Sequence, residues 1–475
     1  MPIRLAGLAL LLISALVAVP AAHAGSPGKW TQIGQSNVAN IDEAALARTP
    51  DGTLHVVWTI PAASNDSLVH AAITPNGVAS APNMIQTGWA SIEPVPDLVA
   101  TAEGLRVFFG GIRTTNPDEV NDELNTATAP ASGATWDLFP GPVAKGDAAY
   151  GADTGAAVLS DGTPIQSWGG TGTGVFVHRG LDQNTPNFPL QGQLGGCCGY
   201  SPDVAVDTKS GVPFAAWISN ATNKLGVFAQ SLDPNTGQPT GGPAQMPGST
   251  TEYNGRQESS QQLQRTPIVA RAGGGVYVAY PGGYPTTTQV RLWRIADSKS
   301  AVVATSKHDH IASLAADANG RLWVFWVERG TTPQVFARRS NKTATKFGPA
   351  VKLSPPEGQQ SAFKIDGNAQ SGALDLVVLF GTASSQAQWH TQVLPGLELD
   401  ASPSKINGGK STSVTFTVTD PDPVKGAKVS AGGKAATTNA KGHATIELGP
   451  TKAKSIVAKV TRAGYTAGST KVKVK

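Results

Sequence analysis

Ser313-Leu314-Ala315-Ala316-Asp317-Ala318-Asn319-Gly320-Arg321-Leu322-Trp323-Val324-Phe325-Trp326 is the stretch that decides the fold. Small and apolar residues lead into an Asn-Gly pair, and Leu322, Val324 and Trp326 alternate on the way out. That is a β-hairpin signature. The figure recurs, with turn glycines at Gly52, Gly104, Gly162, Gly211, Gly274, Gly320 and Gly372. The gaps are 52, 58, 49, 63, 46 and 52 residues. Such a period is too long for one hairpin per repeat and suits four strands with loops.

An aromatic residue stands six positions after the glycine in five repeats: Trp58, Trp168, Trp217, Tyr280 and Trp326. Phe109 stands at five and Phe380 at eight. An offset of six shares a strand face with offsets two and four, so these rings are expected in the core between neighbouring sheets. A second, looser hairpin follows each first one, as in Gln334 to Arg339 and Phe347 to Leu353. The last repeat lacks a fourth strand, and Lys29 to Gly34 has the pattern to supply it. The expectation is an all-β chain: a closed seven-bladed β-propeller over 25–395, then a small Ig-like β-sandwich over 396–475. Six blades is the alternative, because the repeat around Gly372 is the least regular.

Residues 1–24 read as a secretory signal peptide, with Arg4, an apolar run from Leu5 to Val19, and Ala22-His23-Ala24 as the cleavage pattern. No later apolar run approaches the length of a membrane-spanning helix. The chain is therefore expected to be secreted, starting at Gly25, and to work as a monomer. Charge is uneven. Residues 397–475 hold thirteen Lys/Arg and five Asp/Glu, a net of +8, against 23 and 28 in 25–396, a net of −5. A basic tail can attract anionic wall polymers or lipid surfaces, or be simply a solvated lysine-bearing surface. Nothing points to nucleic acid, a cofactor or a metal.

The repeat Ala316-Asp317-Ala318-Asn319-Gly320 with its tryptophans, followed by Ser340 and Phe347, resembles the sialidase-type (BNR-repeat) propeller superfamily, whose Asp box is Ser-x-Asp-x-Gly-x-x-Trp. The boxes are eroded here. Lys342 and Ala344 replace the Asp and Gly, and Ala129 and Ala131 replace the first half before Gly133 and Trp136. From Leu397 onward, Val424 to Val429, Gly442, Ala444 to Leu448 and Gly464-Tyr465 resemble bacterial Ig-like and carboxypeptidase-regulatory-like modules. That second resemblance implies a spacer or adhesion unit.

In a propeller the loops leading into each inner strand gather at one end of the channel, the default ligand site. Those loops carry Asp42, Glu43, Glu93, Asp147, Tyr150, Cys197, Cys198, Tyr200, Arg265, His308, Asp309, His310 and Lys364. Glu93, Asp147, Tyr150, Cys197, Cys198, Tyr200, Arg265, His308 and His310 are the candidate binding residues. Cys197 and Cys198 are the only cysteines, adjacent and glycine-flanked in an exported chain, and read as a vicinal disulfide beside Tyr200. Reduced or intermolecularly oxidised thiols are the other reading. His308 and His310 share a face on a strand, but no third metal ligand accompanies them.

The sialidase resemblance implies a Tyr–Glu nucleophile pair, an Asp and three arginines. Tyr253, Glu252 or Glu258, and Arg256 or Arg265 could supply part of that set. No Arg-Ile-Pro-like motif stands near the mature N-terminus, and arginines are not clearly placed on three successive repeats. The sequence reading is thus a secreted protein binding a glycan or cell-envelope polymer. An exo-glycoside hydrolase of the sialidase type and a protein-interaction scaffold are the alternatives.

Overall fold

The computed structural model describes residues 27–36, 43–62, 65–93, 95–113, 123–144, 152–170, 174–190, 199–219, 225–249, 264–282, 288–306, 308, 310–370, 372–382 and 384–475. The expected signal peptide, 1–24, lies outside them. Every element among them is β. No helix among the described residues is long and apolar enough to cross a membrane.

After β1 (Thr31–Ser36), the strands fall into successive sets. The first is β2 (Ala45–Arg48), β3 (Leu54–Ile60), β4 (Asp66–Ile73) and β5 (Asn83–Ile92). The second is β6 (Asp97–Thr101), β7 (Gly104–Arg113), β8 (Glu123–Ala129) and β9 (Asp137–Leu138). The third is β10 (Ala152–Val158), β11 (Pro164–Gly170), β12 (Gly174–Arg179) and β13 (Phe188–Pro189). The fourth is β14 (Gly199–Val206), β15 (Pro213–Ser219), β16 (Gly226–Leu232) and β17 (Pro239–Gln245). The fifth is β18 (Ile268–Ala270), β19 (Val276–Gly282), β20 (Gln289–Arg294) and β21 (Ala301–Thr305). The sixth is β22 (His310–Ala316), β23 (Leu322–Glu328), β24 (Gln334–Arg339) and β25 (Val351–Leu353). The seventh has β26 (Ser361–Ala369), β27 (Leu374–Gly381) and β28 (Gln386–Val393), and β1 pairs antiparallel with β28, Thr31 opposite His390.

Within each set the strands pair in chain order, and β5 also pairs with β7. First strands lie against one another in succession: β2 on β6, β6 on β10, β10 on β14, β14 on β18, β18 on β22, β22 on β26, and β26 on β2.

The second strands explain why the sets stack. Leu322 to Val327 are all buried, unlike a strand with one wet face. Trp323, Phe325 and Val327 pack towards the seventh set, with Leu374, Leu376 and Phe380. Leu322, Val324 and Trp326 pack towards the fifth, with Tyr277 and Leu292. The repeated aromatics Trp58, Phe109, Trp168, Trp217, Tyr280, Trp326 and Phe380 are all buried. Trp168, Trp217 and Trp326 each stack on the phenylalanine directly opposite on the third strand: Phe176, Phe228 and Phe336. Burying one such ring is worth about 3 kcal/mol.

The hairpin turn differs from a two-residue Asn-Gly turn. Asp317 and Arg321 close it, with Asp317 N–H donating to Arg321 O and Gly320 N–H to Asp317 O. Gly320 alone needs positive φ, at 79°. This is the three-residue loop with a left-handed glycine, and the Asp317 carboxylate accepts from the Asn319 and Arg321 amides. Gly52 and Gly162 make the same turn, and Gly274 closes with the same hydrogen bonds although Gly273 and Gly275 beside it are also at positive φ. Gly372, in the least regular repeat, is not left-handed.

The chain from Glu398 forms two further sheets. One joins β29 (Glu398–Ser402), β31 (Thr412–Asp420) and β32 (Asp422–Pro423), with β35 (His443–Leu448) on β31. The other runs β30 (Lys405–Ile406), β37 (Gly468–Val474), β36 (Ser455–Thr461), β33 (Lys428–Ala431) and β34 (Lys434–Thr437). Between them Val414, Phe416, Val418, Val429, Val460 and Val472 make a separate core. Strand alternation explains it, since β31 reads buried at every second residue.

Candidate functional site

The first strands surround a cavity of about 350 Å³, and all seven sets contribute to its lining. Asp97, Asp203, Ser313 and Asp366 stand at corresponding places on β6, β14, β22 and β26. Glu43 and Arg265 enter from the segments just ahead of β2 and β18. Each aspartate is fixed by backbone amides. Asp97 accepts from Leu98 N–H at 2.8 Å and Ala156 N–H at 2.5 Å. Asp203 accepts from Val204 N–H at 2.7 Å, and Asp366 from Gly367 N–H at 2.7 Å and the Ser313 hydroxyl at 3.3 Å.

Arg265 is the hub. Its guanidinium reaches Asp97 at 2.5 Å, Glu43 at 3.4 Å and Asp366 at 3.5 Å, and donates to Ala44 O at 3.3 Å. Its backbone N–H donates to the second Glu43 oxygen at 2.8 Å. Its side chain is only 6% exposed. A buried guanidinium requires such partners, since an unpaired one costs several kcal/mol, roughly the size of a whole domain's stability margin.

Acids outnumber that cation, and their proton affinities show it. Burial pushes Glu43 up to about 8, with the charge of Asp366 adding and Arg265 opposing. Burial raises Asp366 to about 6, against the pull of Arg265. Burial and then Asp97 raise Asp203. Burial works against the Arg265 charge, but Asp97, Glu43, Asp203 and Asp366 together hold it more firmly protonated than usual. Carboxyls with raised proton affinity can donate as well as accept hydrogen bonds.

Local backbone irregularity shapes the rim. Register shifts fall between Ala152 and Gly155, Tyr200 and Asp203, and Ala362 and Lys364, all at the starts of first strands. Asp153 and Ser201, with φ of 52° and 50°, sit at two of them, and the Asp153 carboxylate accepts from the Ser201 amide and hydroxyl. Gly155 is required by a close approach. A Cβ there would lie 2.6 Å from Asp203 Cα.

Of the sequence candidates, Arg265 lines the cavity, with Glu43 from the same group of loops. Lys364 is buried just ahead of Asp366. Glu93 and Tyr200 are half-buried and do not line it. Glu93 is tied through its backbone to Gly110 O and to the Thr59 hydroxyl. His308 is exposed beside Gly330, and His310 is the first residue of β22, opposite Glu328. Asp147, Tyr150, Cys197 and Cys198 lie outside the described residues, as do Asp42, Tyr253, Glu252, Glu258 and Arg256. Among the described residues no group of three or more His, Cys, Asp or Glu is arranged to hold a metal.

Asp97, Asp203, Asp366 and Ser313 went unmarked in the sequence. A signal existed in Pro96-Asp97-Leu98-Val99-Ala100 and Pro202-Asp203-Val204-Ala205-Val206, where an acid follows a proline and leads an apolar run.

Fold and cavity define an all-β protein with a charge-lined cavity ringed by the first strands. No family model matches the chain, and no curated protein does. Solved structures do. A protein of unknown function from Dyadobacter fermentans DSM 18053 is similar at TM-score 0.47 and 10% identity, over 79% of this chain and 99% of that one. Polysaccharide lyase Uly1 is similar at TM-score 0.41 and 9% identity, over 78% and 100%. A GH43 endo-arabinanase from Bacillus licheniformis is similar at TM-score 0.33 and 12% identity, over 56% and 98%. The site rests on its own geometry.

Proposed function

We propose that residues 1–24 direct secretion, that 25–395 form a closed seven-bladed propeller, and that 396–475 form an Ig-like sandwich. The mature monomer binds a glycan or cell-envelope polymer at the cavity. Closure is supported by the return of first-strand contacts from β26 to β2 and by β1 completing the seventh set. The observation that carries the ligand class is the mixed donor and acceptor lining of the 350 Å³ cavity, with Asp97, Asp203, Asp366, Glu43 and Arg265 converging in it. Polyhydroxylated rings are recognised by such carboxyl and guanidinium groups, because each hydroxyl both donates and accepts.

Sialidase-type chemistry fits less well. Arg265 already contacts Glu43, Asp97 and Asp366, so a substrate carboxylate would enter a region rich in acid. A glycoside hydrolase of another kind is the second reading, and one observation favours it. Burial raises the proton affinity of Glu43 among further carboxyl groups, the kind of asymmetry an acid and a base require.

Incubation of the purified protein with a mixed glycan pool, read by mass spectrometry, tests both. Selective depletion lost in Asp203→Asn supports binding. Trimmed products lost in Glu43→Gln make it a hydrolase. An unchanged pool overturns both and leaves a protein-interaction scaffold.

A further inference from the structure

The C-terminal unit separates its charges between its two sheets. Its five acids, Glu398, Asp400, Asp420, Asp422 and Glu447, all lie on the sheet of β29, β31, β32 and β35. The other sheet, β30-β37-β36-β33-β34, carries no acid on any strand. Strand alternation turns Ile406, Val429, Ala458, Val460 and Val472 inward and leaves Lys405, Lys428, Lys459, Lys471 and Lys473 exposed on the outer face. Lys405 is directly beside Lys473, and Lys471 is opposite Val457. No hydrogen bond or ion pair engages any of the five ammonium groups. Lys471 and Lys473 stand about 7 Å apart along one strand, with the next strand about 5 Å away. The result is a cationic grid.

We propose that this face is a second binding surface, independent of the cavity, and that its partner is a linear anionic polysaccharide. A merely solvated surface intersperses both signs, which relieves repulsion between like charges. Here five acids were available in the same unit and none neutralises the lysines. Asp420 and Asp422 instead pair with Arg339 and Arg321 of the sixth set. That contact uses one end of the unit and leaves the lysine face uncovered.

The rest of the face selects among polyanions. Its non-lysine exposed residues include Ser430, Thr437, Thr461 and Ser469, hydroxyl donors and acceptors suited to sugars. Val457 is its one large exposed apolar residue, too little to insert into a lipid surface. It has no aromatic ring for base stacking and no arginine for base edges, which disfavours nucleic acid.

The test is binding of polygalacturonate to the purified protein by calorimetry, beside dextran, phosphatidylglycerol vesicles and a short DNA duplex. Polygalacturonate should bind, dextran should not, and affinity should fall as salt screens the lysines. Replacing the five lysines by serine (K405S, K428S, K459S, K471S, K473S) should weaken binding about tenfold or more, whereas five arginines should retain it. A control set on other loops (K425S, K441S, K452S) should leave it unchanged. Failure of the wild type to bind, wild-type binding by the serine variant, or tighter binding of vesicles or duplex would each overturn the proposal. Depletion of glycans through the cavity is unaffected by these variants, so the two readings fail separately.

Discussion

The Arg48 guanidinium donates to the Asp375 carboxylate at 2.6 Å across 327 positions of chain, and His390 meets the other oxygen at 2.9 Å. Arg48 belongs to the first set and Asp375 to the seventh, so this pair ties the two ends of the repeat together. Asp375 is 5% exposed. Asp375→Ala strands the Arg48 charge and should cost about 3–5 kcal/mol, read by urea unfolding. Burial works against the Asp375 charge, but the His390 hydrogen bond and the charges of His390 and Arg48 outweigh it and hold the carboxyl below its ordinary value. The stabilisation is therefore present above the unfolded-state value of about 3.9 and lost as pH falls through the lower folded value. The gap between wild type and variant should close in that acid range.

Glu43 gives the opposite sign. Its folded value is raised to about 8 from 4.5, so the folded state holds a proton that the unfolded chain has released. Stability should decline as pH rises between those values, by at most about 1.4 kcal/mol per unit. Unfolding measured between pH 6 and 8.5 should show this slope, and Glu43→Gln should flatten it. An unchanged slope in the variant would place the titrating group elsewhere.

The difference between what was legible and what was not follows from distance along the chain. Trp326 and Gly320 lie within one hairpin, so their spacing records the strand period directly. Arg265 and Glu43 are 222 positions apart and meet only because the first strands gather around one cavity. Asp203 needs Gly155 on the neighbouring set to make room, a dependence no local window contains. Asn341 shows a third case. Its carboxamide oxygen accepts from the Thr345 and Lys346 amides and holds the turn, a role its residue type alone does not announce.

His55 and His70 form a buried pair, ring nitrogens 2.9 Å apart, closed over by Gly133 and Trp136. Burial, then the charge of His55, lowers His70 to about 4, and burial lowers His55. The unfolded chain takes up protons first as pH falls below about 6.5. Stability should drop from there and level off near pH 4, by about 3 kcal/mol for His70. Thermal unfolding across that range should show it, and His70→Gln should remove most of the slope. Gly133→Ala, with a Cβ 2.6 Å from the His70 ring and φ of 66°, should destabilise at every pH.

Arg339 holds the C-terminal unit in place. It lies 5.6 Å from the Trp323 ring and 5.7 Å from the Tyr465 ring, and pairs with Asp420, which is 3% exposed on its side chain. Arg321 adds Asp422 at 2.6 Å, and the Thr466 amide donates to Pro395 O at 2.9 Å. The two cores are otherwise separate, so docking rests largely on this ion pair and its flanking rings. Arg339→Ala leaves Asp420 buried without its cation, and the favourable response is undocking, which returns the carboxylate to water. Limited proteolysis should then cut near Pro395, and calorimetry should resolve two transitions where the wild type gives one. Arg339→Lys keeps the charge but loses the planar stacking, and should fall between the two. A single unshifted transition in Arg339→Ala would mean that the Arg321 contact and the backbone suffice to dock the unit.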